Sequence, residues 1–160
     1  MIDAKGMIEG SKVCKILVQP TDEIFGVDTF VINFIQKKTL ISLHSFSFVR
    51  AIKNNVIVYT STDHYLNSNG YSWKKGQKKL STESFKTLIK DIENEYVDRI
   101  SISKCKDIHI FFRNGVILEF IVDTSRSPDF LCNEIHRIMF YDISNSKNNN
   151  ESFYDYVIYR

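Results

Sequence analysis

Alanine is nearly missing from this chain. Ala4 and Ala51 are the only two, and without the residue that is cheapest to hold in a helix a mainly helical body is disfavoured. With two prolines and six glycines, there is no linker to divide the chain, and residues 1–160 read as one domain. The cysteines are three, Cys14, Cys105 and Cys132, an odd number with no C-x-x-C spacing. That excludes a self-contained disulfide framework and leaves free, mostly buried thiols in a reducing cytoplasm. No apolar run is longer than a strand, so no transmembrane helix is expected. The start MIDAKGMIEGSKV lacks the basic and apolar regions of a signal peptide.

Charge of one sign is missing too. The 21 Lys and Arg against 19 Asp and Glu leave +2, too balanced for a nucleic-acid surface or an anionic membrane. There is no G-x-G-x-x-G, no P-loop, no nucleophile elbow and no H-E-x-x-H. Neither catalysis, a cofactor nor a metal is therefore expected.

What is present favours strands. Aromatic residues make up 13% of the chain, mostly Phe and Tyr, which suit a pleated, half-buried surface. The two halves echo each other. Phe30-Val31-Ile32-Asn33-Phe34, Leu40 to Leu43, Phe48-Val49-Arg50-Ala51-Ile52 and Val56-Ile57-Val58-Tyr59 form one series. Ile108-His109-Ile110-Phe111-Phe112, Ile117-Leu118-Glu119-Phe120, Ile135-His136-Arg137-Ile138-Met139 and Val157-Ile158-Tyr159 form the other. Further strands are expected over 13–18 and 97–103, and a short helical or irregular lead-in over 1–11. Phe30, Ile32 and Phe34 share one side and are the core candidates. Asn54-Asn55 tolerates positive φ and predicts a tight hairpin; Asn114-Gly115 predicts a type I′ hairpin. Between the halves, Phe85, Leu88, Ile89 and Ile92 fall at helical spacing and predict a helix over 81–95. The fold expected is α+β, mostly antiparallel sheet, from two similar β-meander halves with one main helix between them. Segment 61–96 has no counterpart in the first half and is the place to look for function.

The chemistry-bearing clusters resolve mostly into architecture. Asp63-His64 near Ser61 invites a hydrolase triad, but neighbours on an extended chain point to opposite faces. Asp107 and His109 share a strand face, which is too little to hold a metal. A small metal-dependent hydrolase using these residues is the alternative from another class. Arg50 and Arg137 occupy equivalent places and read as structural, with Glu119 and Glu134 as partners for Arg137. Tyr65, Tyr71, Trp73, Lys74 and Lys75 mix aromatics with lysines. Single-stranded nucleic acid is one reading of them, but a protein contact suits one such loop better. Asp91, Glu93, Glu95 and Asp98 form an acidic cluster at the helix end, where the helix dipole does not favour it.

The stretch 43–63 (LHSFSFVRAIKNNVIVYTSTD) resembles a strand–Arg–hairpin–Ser-x-Asp pattern that recurs in small bacterial proteins of polymorphic toxin systems. It departs from the pattern in carrying Phe48-Val49 before Arg50, where a Trp is expected. The stretches 107–122 (DIHIFFRNGVILEFIV) and 134–140 (EIHRIMF) are similar to a second such block. The resemblance covers half the chain and implies an immunity protein, such as those of contact-dependent growth inhibition. Such a protein works in the cytoplasm without catalysis and neutralises a cognate toxin by binding it. The matching positions are scaffold positions, so the contact residues expected come from the reading above. They are Tyr65, Tyr71, Trp73, Lys74, Lys75, Asp91, Glu93, Glu95 and Asp98. If the toxin is a nuclease, the acids mimic phosphate. Exposed strands in a β-rich body also leave room for a homodimer.

Overall fold

Strand pairing follows the echo seen in the sequence. The computed structural model describes residues 4–19, 29–61, 66–67, 70–71, 83–122, 134–144 and 154–159. The first half holds helix α1 (Ala4–Ile8) and strands β1 (Lys12–Gln19), β2 (Thr29–Gln36), β3 (Thr39–Ser45), β4 (Phe48–Lys53) and β5 (Val56–Thr60). A two-strand ribbon of β6 (Leu66–Asn67) and β7 (Gly70–Tyr71) follows. The second half holds helix α2 (Glu83–Ile92) and strands β8 (Val97–Ile102), β9 (Ile108–Phe112), β10 (Ile117–Ile121), β11 (Glu134–Asp142) and β12 (Tyr154–Tyr159). One five-stranded sheet has the order β1-β2-β3-β11-β12, and the other has β5-β4-β10-β9-β8. All the pairings in both are antiparallel. The protein is thus α+β with sheet dominant.

Each half gives three strands to one sheet and then crosses to add two strands to the other. The register carries this to single residues. Arg50 stands opposite Glu119 on β10, and Arg137 stands opposite His44 on β3. Ala51 faces Leu118, and Ile138 faces Leu43. The partner expected for Arg137 therefore belongs to Arg50, whose Nε contacts Glu119 Oε2. The cause is register, which places Glu119 in the sheet where β4, not β11, is its neighbour. The lead-in helix α1 stands before β1 as α2 stands before β8, so the helical part of 61–96 does have a counterpart.

The inward faces of the two sheets meet in one hydrophobic cluster. Alternation puts Phe30, Ile32 and Phe34 inward from β2, Ile41 and Leu43 from β3, and Leu118 and Phe120 from β10. All are buried, as the period of two requires. Phe30 joins the layers, its ring meeting Tyr59, Phe85 and Phe120 at 5.7–6.4 Å between centroids. Helix α2 buries Phe85, Leu88 and Ile92 in a single stripe and packs against β5.

Turn chemistry settles two expectations differently. Between β4 and β5, Asn54 and Asn55 both take positive φ (52° and 61°), and Lys53 faces Val56 across them. That is the tight two-residue turn expected, with side chains that tolerate the left-handed region. The loop between β9 and β10 is not type I′. Only Gly115 has positive φ (82°), and its N–H donates to the Phe112 carbonyl at 3.0 Å. The Phe112 N–H donates to the Val116 carbonyl at 2.9 Å, so the loop has three residues, Arg113, Asn114 and Gly115. This is a type I turn followed by a left-handed glycine. Asn114 stays out of the left-handed region because its side chain is in use: Oδ1 accepts from the Val116 N–H and Nδ2 donates to the Asp91 carbonyl. A Cβ at Gly115 would meet nothing within 4 Å, so Gly115→Ala costs backbone strain alone. A loss of about 1 kcal/mol in urea unfolding is the expected result.

Candidate interaction surface

The acidic cluster lies where α2 ends, and that end is held by backbone pairing. Asn94, with φ 69°, takes the left-handed position that stops many helices. The chain then pairs with the start of β1. Val13 N–H donates to the Glu95 carbonyl, Asn94 N–H to the Val13 carbonyl, Gly10 N–H to the Val97 carbonyl and Val97 N–H to the Ser11 carbonyl, all at 2.9 Å. Lys12 and Tyr96 face each other across this bridge. They are equivalent places in the two halves, each just ahead of the buried Val13 or Val97 that opens its sheet.

A cleft of about 550 Å³ opens at this junction, lined by Lys12, Cys14, Ile35, Lys37 and Tyr96 among others. Ile35 and Tyr96 are large apolar side chains left 38% and 41% exposed. Tyr96 is backed by Arg113, whose guanidinium carbon sits 5.0 Å from the ring centroid. The Arg113 N–H also donates to the Tyr96 carbonyl at 3.1 Å. The aromatic plate is therefore held from behind and at its backbone. Cys14 half-faces the cleft; its thiol donates to the Asn33 carbonyl at 3.4 Å. Burial is the main influence pushing its pKa up, with Glu93 adding to it, so it is a poor nucleophile.

The four acids do not act as one group. Asp91 is paired with Lys53 at 2.8 Å, and its carbonyl is held by Asn114 at 2.6 Å; it ties α2 to the neighbouring hairpins. Glu95 is half-buried, and its Oε1 accepts the Tyr96 N–H at 2.8 Å. Glu93 and Asp98 are exposed on either side of Tyr96. Of the other expected contacts, Tyr65, Trp73, Lys74 and Lys75 lie outside the described residues, as do Asp63 and His64. Tyr71 is described in its backbone, which pairs with Leu66. Tyr96, Ile35, Lys12 and Lys37 were not foreseen. Tyr96 stands just ahead of the strand expected over 97–103, and the bridge that sets it opposite Lys12 joins segments far apart in sequence.

Elsewhere the polar groups serve the scaffold. Asp107 Oδ1 accepts the Val122 N–H at 2.8 Å and Oδ2 accepts from Ser103 Oγ at 3.3 Å. His109 stands opposite Glu119 on β10 and Ser101 on β8. Cys105 is exposed and Cys14 is half-buried, so these two thiols are less buried than the composition implied, and Cys132 lies outside the described residues; Cys105 sits in the polar turn after β8. Among the described residues no three His, Cys, Asp and Glu side chains converge as a metal site. No helix among them is long and apolar enough to cross a membrane. Comparison with protein-family models, with curated proteins and with solved structures returned no match.

Proposed function

We propose that the protein is a non-enzymatic immunity protein, as in contact-dependent growth inhibition, that binds and neutralises a cognate protein toxin in the cytoplasm of the producing cell. The observation that carries this reading is the β-paired junction at Tyr96. It presents an aromatic anchor beside a cleft, with the exposed Glu93 and Asp98 three and two residues away in sequence. Binding hot spots have this composition, a rigid aromatic set against a pocket with charge at the rim. The acids speed encounter with a basic toxin surface, and Tyr96 holds the complex. The scaffold reading that accompanies it is a duplicated β-meander unit whose main helix, α2, joins the halves and delivers this surface.

The test is protection and binding with the toxin encoded beside the gene. Tyr96→Ala is expected to weaken the complex by about 30-fold or more, chiefly through faster dissociation. Glu93→Lys with Asp98→Lys is expected to slow association by about tenfold at low salt, an effect that fades as salt rises. A neighbouring toxin that the wild-type protein neither binds nor neutralises would overturn the reading. Full protection by both variants would move the contact away from this surface.

A further inference from the structure

His136 is fully buried, yet its ring makes two hydrogen bonds where three chain segments meet. Nε2 lies 3.1 Å from the Lys106 carbonyl. A carbonyl only accepts, so Nε2 carries the proton. Nδ1 is then bare and accepts from the Ser45 hydroxyl at 3.0 Å. The Ser45 oxygen in turn accepts from the Ser47 hydroxyl at 2.8 Å and from the Ser47 N–H at 3.2 Å. Ser45 ends β3, and Phe46 and Ser47 are the whole crossover to β4 and the second sheet. Phe46 N–H is bonded to the Ile135 carbonyl at 3.0 Å, which joins the crossover to β11. Lys106 sits in the turn between β8 and β9 with φ 74°.

A second proton on this ring has no place to go. Both lone pairs of the Ser45 oxygen are already occupied by Ser47. Reversing the chain of hydroxyls would send the last proton from Ser47 to the Phe48 carbonyl, 3.5 Å away, at the limit of a hydrogen bond. Among the described residues no carboxylate touches the ring to pair directly with the charge. The charged group acting on the ring among the described residues is Asp107; Lys106 reaches the ring through its backbone carbonyl, its own side chain being exposed. The Asp107 oxygens are taken by Val122 and Ser103. β3 and the crossover offer serines, β10 offers the Phe120 ring edge-on at 6.2 Å, and Ile158 of β12 stands opposite in register. Burial accordingly holds the imidazole down to about 4, opposed in part by the Lys106 carbonyl and Asp107.

We propose that His136 is an acid-sensitive latch, whose protonation releases Ser45 and opens the Phe46–Ser47 crossover locally, ahead of the rest of the fold. The sign follows from proton uptake. The open state binds a proton with the ordinary histidine affinity and the closed state resists it. The latch is therefore fully shut above about pH 6.5 and weakens progressively as pH falls below it. It lies at the opposite end of β8 from Tyr96 and does not depend on the immunity reading.

Hydrogen exchange and ring-nitrogen shifts, measured by nuclear magnetic resonance on the full chain from pH 7.5 to 4.5, test it. After correction for intrinsic exchange, the Phe46 and Ser47 amides are expected to lose protection by about tenfold per pH unit below 6.5. Ile110 and Leu118, at the sheet centre, are expected to keep theirs. The His136 ring is expected to hold its Nε2–H form above pH 5. In His136→Gln, neutral at every pH, the slope at Phe46 is expected to vanish. If that variant does not fold, the wild-type ring decides. A ring that titrates near 6.5 inside the closed protein overturns the latch, and so does simultaneous loss of protection at Phe46 and Ile110.

Discussion

Made separately, residues 1–80 and residues 81–160 are each expected to stay unfolded, and mixed in equal amounts they are expected to assemble into one cooperatively unfolding body. The reason is the crossing of strands between sheets. Each five-stranded sheet takes three strands from one half and two from the other, and its inner contact is an inter-half pair, β3 with β11 or β4 with β10. The first half alone would hold a three-stranded meander whose inward residues, from Phe30 to Leu43, have no facing layer, plus the β4–β5 hairpin. A lone hairpin is marginal in water, and an uncovered meander exposes the apolar area that drives folding. It would also present β3 as a long unpaired edge. In the whole chain those residues and Leu118, Phe120, Ile138 and Phe140 of the second half form one buried cluster. Urea titrations followed by circular dichroism check this: no sigmoidal transition for either fragment, and one for the mixture. A cooperative transition in a single fragment would mean that the halves are independent units.

The same crossing explains what could be read from the sequence. Strand periods are local, and the segments from Phe30 to Phe34 and from Ile108 to Phe112 lie where alternation puts them. The echo between halves was legible because equivalent strands bury equivalent positions, Leu43 with Leu118 for example. Which sheet a strand joins is not local. Glu119 and Arg137, expected as partners, stand in different sheets because the crossover carries β11 away from β10. The β9–β10 turn departs from type I′ for a smaller reason, the use of the Asn114 side chain by Val116 and Asp91. At the candidate surface, Glu93 and Asp98 were visible as charges. The loss of Asp91 to Lys53 and the exposure of Tyr96 both come from contacts between segments remote in sequence, which no periodicity encodes.

Phe30→Ala is expected to cost about 4 kcal/mol, the middle of the range for a buried ring in a close-packed core. Phe30 is 2% exposed and is where both sheets and the main helix meet: Tyr59 comes from β5, Phe120 from β10 and Phe85 from α2. The Phe85 and Phe120 contacts are edge-on, the geometry in which the ring quadrupoles attract. Truncation therefore removes three ring contacts along with the transferred area, and four rigid elements cannot all collapse into the gap. At this chain length the midpoint of thermal unfolding is expected to fall by roughly 10 °C. Phe30→Leu, which keeps most of the volume, is expected to lose less than about half as much. Ile57→Ala supplies the contrast. Ile57 is an equally apolar strand residue left 53% exposed, and its removal is expected to change stability by no more than about 0.5 kcal/mol. Thermal melts of the three variants decide it. A Phe30→Ala loss no larger than that of Ile57→Ala would mean that the two sheets do not share the core that Phe30 joins.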